Sequence, residues 1–250
     1  VWGASNYTYA EASLTQGLPC WIGSHTHAFE YFGCAPRVLV PDNLKSGVND
    51  ACFYEPELNP TYADMAAHYG CVVLPARPYR ARDKAKVEVG VLIAQRWILA
   101  VLRHRTFYSL AELNAAIREL LGRLNTRLLR KMEKSRRELF ESLDRPQALP
   151  LPQRPYEYAE WKKATVNIDY HIEVDKHYYS VPFHLLRETL DVRLTATTLE
   201  AFRKGERVAA HARSYIPGLH TTLKEHMPPE HRRYAEWTPS RMIEWARKTG

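Results

Sequence analysis

The sequence predicts an α/β unit joined to a small all-β unit, and three observations carry that expectation. Over the first half, short apolar runs of strand length alternate with helix-period stripes, the order of a sheet with parallel pairing. Four prolines then fall within residues 145–155 (RPQALPLPQRP), which marks a boundary. Beyond it, VNIDYHIEV, YYSVPF, LDVRLTATTLEAF and RVAAHARSY alternate with period two around turn residues such as Lys204-Gly205.

Taken in order, Val1 to Ala10 reads as a strand or hairpin edge entered midway, as in a fragment whose N-terminal part is missing. Glu11 to Gly33 suggests a helix interrupted around Gly17-Leu18-Pro19, with Trp21, Ile22, Ala28, Phe29 and Phe32 as its buried set. Val38 to Val40 has the apolar character of a short buried strand, and Cys71 to Leu74 that of another. Between them, Pro60 to Gly70 reads as a helix closed by Gly70 at C′. A long helix is expected over about Lys84 to Arg103, with Val91, Ala94, Ile98 and Val101 on one face. Ser109 and Glu112 form a capping box before the stripe Leu113, Ile117, Leu120 and Leu124. Ser135 and Glu138 repeat the pattern before Leu139, Phe140 and Leu143. The Pro-rich segment should be a semi-rigid extended linker. The β unit, residues 166–215, should close into a barrel, which hides strand edges. Thr238-Pro239 should open a final helix in a basic tail, residues 216–250.

Charge points to a partner. The net charge is +7, yet residues 1–75 hold two Lys/Arg against seven Asp/Glu, so the remainder carries +12. A basic surface of that kind collects phosphates and releases counterions. No apolar run is long enough for a bilayer and no signal peptide is visible, which excludes a membrane role. Cys20, Cys34, Cys52 and Cys71 show no C-x-x-C spacing and read as reduced thiols. His25, His27, His220, His226 and His231 lack a matched cysteine pair, so zinc is not indicated. No G-x-x-x-x-G-K-[ST] stretch is present, so ATP hydrolysis is not assigned to this chain.

Two carboxylates stand out by position. Asp42 follows the strand Val38 to Val40 through Pro41, where ligand chemistry is expected in an α/β sheet. Glu88 falls about one turn into the long helix, where the N-terminal dipole favours an anion. Arg77, Arg80, Arg82, Lys84 and Lys86 surround it in sequence, as salt-bridge partners or as phosphate contacts. Asn43 and Lys45, next to Asp42, suit either phosphate positioning or ordinary turn chemistry. The run Arg127, Arg130, Lys131, Lys134, Arg136 and Arg137, with only Glu133 opposing it, suits phosphate contact or a solvated face. In the β unit, Tyr170, His171, Lys176, His177, Tyr178 and Tyr179 mix rings with cations and suit DNA backbone contact or a barrel rim.

The stretches Pro41-Asp-Asn-Leu-Lys-Ser46, Ala66-Ala-His-Tyr-Gly70 and Pro78-Tyr79 to Asp83-Lys-Ala-Lys-Val-Glu88, in this order and spacing, resemble the IstA-type DDE transposases of two-gene bacterial insertion sequences. The spacing from Pro78 to Glu88 is also similar to that of retroviral integrases, and the resemblance covers essentially the whole chain. It implies a ribonuclease H-like catalytic core with a helical extension over residues 1–144, a linker over 145–165, then the β barrel. It further implies two Mg²⁺ ions, replaceable by Mn²⁺, held by three carboxylates. Asp42 matches the second and Glu88 the third, with 45 residues between them. The first would lie upstream of Val1, since Asp50 and Asp64 do not end buried strands. Ala85 departs from the family, where Gly is common. Oxygen donors suit Mg²⁺, and paired ions suit an in-line displacement at phosphorus. The implied partners are double-stranded DNA at element ends and target, further copies of the chain, and the AAA+ ATPase encoded by the same element. The implied location is the bacterial cytoplasm, at the nucleoid. The rival expectation is a non-catalytic DNA-binding module that synapses element ends for another enzyme.

Overall fold

The computed structural model describes residues 1–41, 48–50, 57–74, 89–129, 132–235, 243 and 246–248. They form two compact units, Val1–Tyr158 and Ala159–Gly250.

In the first unit, helix α1 spans Leu18–Phe32. Gly17 is its extended N-cap, Pro19 sits in its first turn, and Gly33 closes it at φ 69°. Only a residue free of a Cβ takes that left-handed angle at no steric cost. Residues 11–17 are not helical, because the side chain of Glu11 is engaged across space by Tyr9, Ser24 and His27. Strand β1 (Val38–Leu39) pairs in parallel with β4 (Val72–Val73), as the α/β order requires. Between them lie a hairpin of β2 (Val48–Asp50) and β3 (Glu57–Leu58) and then α2 (Pro60–His68). Asn59 caps α2 by accepting the Thr61 N–H at 2.9 Å, and Gly70 closes it at φ 70°.

A continuous rod follows: α3, described over residues 89–94, a π-helical segment Gln95–Leu99, and α4 (Ala100–Leu102). Next comes α5 (Leu110–Thr126), capped by Ser109. The hairpin of β5 (Leu128–Leu129) and β6 (Lys134–Ser135) leads into α6 (Arg136–Leu139), where Ser135 and Glu138 form a complete capping box.

Several expectations change here. Val1 to Tyr9 is not a strand: Trp2 N–H donates to Tyr7 O across a turn, and Asn6 takes φ 55°. The backbone N–H groups of Ala4 and Ser5 donate to the Asp144 carboxylate rather than to a ladder. Trp2 and Tyr7 instead pack their rings against Phe32 and Phe140. The strands read as buried carry half-exposed side chains, 44% at Val38 and 56% at Val72. The buried face of the rod also differs from the expected stripe. Ile98 and Leu102 are buried while Val91 and Val101 are exposed, because each wider π turn rotates the face that follows it.

The Pro-rich segment is not a free linker. Ala35 and Leu149 exchange backbone hydrogen bonds, and Arg37 Nε donates to Gln147 O. Leu149, Leu151 and Tyr156 pack into the core formed by Ile22, Phe29, Tyr62, Met65 and Tyr69. Tyr156 donates its hydroxyl to Asp64 at 2.7 Å, while its own N–H donates to Tyr69 Oη. Prolines leave few backbone donors unpaired, so a strap on a protein surface suits this composition as well as a spacer does.

The second unit begins with β7 (Glu160–Thr165), ahead of the expected start. One antiparallel sheet has the order β12-β11-β10-β7, where β10 is Thr189–Leu194, β11 Thr198–Arg203 and β12 Glu206–Ala212. The other has the order β13-β9-β8, with β8 His171–Val174, β9 His177–Ser180 and β13 His220–Thr221. The alternate inward residues Leu190, Val192, Leu194, Leu199 and Ala201 meet Ile172, Val174 and Tyr179 in one core. Two separate ladders thus stand where one closed barrel was expected. The connection from β9 to β10 carries Pro182 and a 3₁₀ turn, Phe183–Leu185, which interrupt pairing. Helix α7 (Pro229–Ala235) follows, and the start of the expected final helix at Thr238 lies outside the described residues.

Candidate nucleic-acid interface

Asp42, Asn43, Lys45, Arg77, Arg80, Arg82, Lys84, Lys86, Glu88, Arg130 and Lys131 lie outside the described residues. What the fold does show is the frame around them. Strands β1 and β4 run parallel, so their carboxyl ends share one edge of the ladder. From that edge the chain leaves β1 through buried Pro41 toward Asp42, and leaves β4 toward the basic segment that ends at Glu88. Where the description resumes, at residue 89, the chain is already helical. Asp64 is spoken for on α2, as acceptor of the Tyr156 hydroxyl. Among the described residues, no group of three or more His, Cys, Asp or Glu side chains is placed to hold a metal ion.

The basic run 127–137 is partly described, and its cations divide into three environments. Arg127 is exposed and lays its guanidinium over the Trp97 ring, 4.0 Å from the centroid. That stacking ties the hairpin to the rod that follows Glu88 in sequence, a link no local pattern announces. Lys134 and Arg137 are exposed, and no carboxylate among the described residues pairs with either or with Arg127. Glu138 is committed to its cap, which holds its carboxyl below the usual range through the Ser135 N–H and hydroxyl.

Arg136 departs from the surface expectation. It is only 8% exposed, its Nη1 donates to Leu124 O at 3.2 Å, and its Nε has no partner among the described residues. Burial, and secondarily the nearby Arg127, pushes its pKa down. The capping box sets this orientation: Ser135 starts α6, and the first helical residue turns inward beside Leu139 and Phe140.

Within the second unit, ion pairs engage five of the cations. Lys162 meets Glu160 and Asp175, Arg213 meets Asp175, Arg203 meets Glu188, and Glu200 bridges Arg193 and Arg207. The ring-rich segment singled out in β8 and β9 is largely internal: His171, His177 and Tyr179 are buried. His171 bonds Thr222, His177 bonds Thr221, and Tyr179 donates to Ser214 O. They tie residues 214–222 to the second sheet, which leaves Lys176 and, half-buried, Tyr178 and Tyr170 toward the surface. His211 and His226 complete a buried set on Ser180, with His211 at its carbonyl and His226 at its hydroxyl. Burial pushes the pKa values of His171, His211 and His226 down. The sequence reading set zinc aside at His226 and offered His171 and His177 as DNA contacts or a barrel rim, without the packing role; the hydroxyl residues Thr221 and Thr222 were the available sign.

Comparison with known proteins places this geometry. Residues 151–223 match the family described as Mu transposase, C-terminal domain, a span that runs from the strap to just past β13. The chain is 52% identical over its full length to "Putative transposase for insertion sequence IS408" of Burkholderia multivorans, covering 48% of that protein. It is 49% identical to "Putative transposase y4uI" of Sinorhizobium fredii, covering 49% of it. The transposase for insertion sequence element IS21 of Pseudomonas aeruginosa is 27% identical over 91% of this chain, which covers 58% of it. The chain therefore spans about half the length of these first two relatives. No helix among the described residues is long and apolar enough to cross a membrane.

Proposed function

We propose that this chain is the catalytic-core and β-unit portion of a DNA transposase of the DDE type, which cuts and joins DNA at the ends of an insertion sequence. The observation that carries the reading is full-length identity to proteins named as transposases, combined with the Asp42 and Glu88 motifs that flank the parallel pair β1-β4 and α3. The donor chemistry of Asp42 and Glu88 fits Mg²⁺, a hard cation that takes carboxylate oxygens. When bound, two such ions would polarise the scissile phosphate and lower the pKa of the attacking hydroxyl. This chain's own part is to present the two carboxylates and to hold DNA on the cations of the 127–137 hairpin. Further copies, and a partner ATPase, belong to the same reading: joining two element ends together requires two ends to be held at once.

The test is joining of a pre-cut element end by the full-length protein. Asp42→Asn or Glu88→Gln removes one anionic ligand while keeping side-chain shape. Joining should fall by orders of magnitude while duplex binding survives, because the cationic surface is untouched. Near-normal joining by a folded Glu88→Gln protein refutes the catalytic assignment. Absence of joining by the wild-type protein, with end-pairing intact, would instead favour the synapsis module.

A further inference from the structure

Residues 103–108 (RHRTFY) connect α4 to α5 and were not singled out by any sequence motif. Arg103, His104, Arg105 and Thr106 are all exposed, and Tyr108 is 92% exposed, among the most solvent-facing large side chains of the described residues. The loop is nevertheless held in place. Arg105 N–H donates to Leu102 O at 2.9 Å, and the Arg105 guanidinium stacks 5.0 Å over the Phe107 ring. Phe107 itself packs against the core of Ile98, Leu102 and Ile117. Tyr108 N–H donates to Glu112 Oε2, while Ser109 Oγ accepts the Glu112 N–H. Arg103 Nε donates to His104 Nε2 at 2.9 Å. Among the described residues, Glu112 is the carboxylate that contacts the loop, through its backbone, and none pairs with Arg103 or Arg105.

We propose that this loop is a second duplex-DNA contact of the first unit, with Arg103 and Arg105 meeting phosphates and the Tyr108 ring packing on the adjoining sugar. The inference rests on the DNA-transposase reading above and adds to it a surface built from residues other than the Asp42 and Glu88 motifs. Cations at a helix C-terminus satisfy the macrodipole, which accounts for Arg103 and Arg105 alone. It does not account for a solvent-facing tyrosine beside them whose backbone is anchored by Glu112. Interleaved cations and an exposed ring, pre-ordered by backbone bonds, match a sugar-phosphate surface at little ordering cost. The rod of residues 89–102 is about 20 Å long at 1.5 Å per residue. The loop stands at the far end of the described rod from residue 89.

The test uses the 250-residue chain and a fluorescein-labelled random-sequence duplex, with affinity measured by anisotropy across a salt series. Arg103→Ala with Arg105→Ala should make the plot of log K against log salt shallower by about 1.8, at about 0.9 per phosphate. The paired Lys substitutions should restore most of that slope, which separates charge from fold. Tyr108→Ala should weaken binding about three- to tenfold at unchanged slope, while Tyr108→Phe keeps wild-type affinity. Curves that superpose on the wild type for all of these overturn the proposal. So does loss of self-association with unchanged DNA binding, which would make the loop a protein interface. A wild-type chain that binds duplex with no salt dependence overturns the DNA-binding reading itself, a result distinct from failure of the loop alone.

Discussion

Replacement of Arg136 by Met separates the surface expectation from the buried position found for this residue. If Arg136 met a phosphate, its loss would remove one counterion-release contribution and lower the salt slope by about 0.9. The structure instead puts its guanidinium inside, with a single carbonyl partner at Leu124 and an unpartnered Nε. Two opposing effects then govern stability. A buried cation with incomplete partners is replaced by an apolar chain of similar length, a change worth up to about 1–4 kcal/mol in favour of the variant. Against it, Leu124 O loses its donor at a cost of about 1–3 kcal/mol. The net change should lie between about 2 kcal/mol against and about 3 kcal/mol in favour of the variant. Urea unfolding gives that difference, and anisotropy across a salt series gives the slope. The Arg136→Met slope should equal the wild type's, whereas Arg137→Ala and Arg127→Ala should each lose about 0.9. Equal slope losses for Arg136→Met and Arg137→Ala would refute the argument, since the buried side chain would then be reaching DNA.

Acidification should destabilise the second unit. Burial holds His171, His211 and His226 below the ordinary imidazole value, so the folded state resists protons that the unfolded chain accepts. Their contribution is complete above the unfolded value near ~6.5 and is lost as pH falls from there through the folded values. Unfolding midpoints measured against pH should show that limb, and His226→Gln should flatten it; a midpoint independent of pH across this window would contradict the account. In the first unit, Tyr156→Phe removes the hydroxyl that Asp64 accepts from and should cost about 1–3 kcal/mol in urea unfolding. An unchanged midpoint would mean that the strap contributes nothing through this bond.

Local chemistry was readable where a few neighbouring residues decide the outcome. Ser109 and Ser135 cap their helices, Gly70 ends α2 with a positive φ, and the parallel pairing of β1 with β4 follows from the strand-helix order. Period-two alternation located the β unit, because one face of each strand must meet the core. What the sequence by itself could not determine depends on partners distant along the chain. The N-terminal segment turns rather than extends because the Asp144 carboxylate, far along the sequence, takes its backbone donors. The Pro-rich segment becomes a strap because Leu149 and Tyr156 find an apolar surface on α1 and α2. The π segment re-aims the rod, so the face chosen by simple helical spacing is not the one buried. Arg136 turns inward although Lys134 and Arg137 beside it face water and Arg127 stacks on Trp97. Composition and spacing specify what a segment can bury or donate; only the tertiary arrangement decides which surface is within reach to receive it.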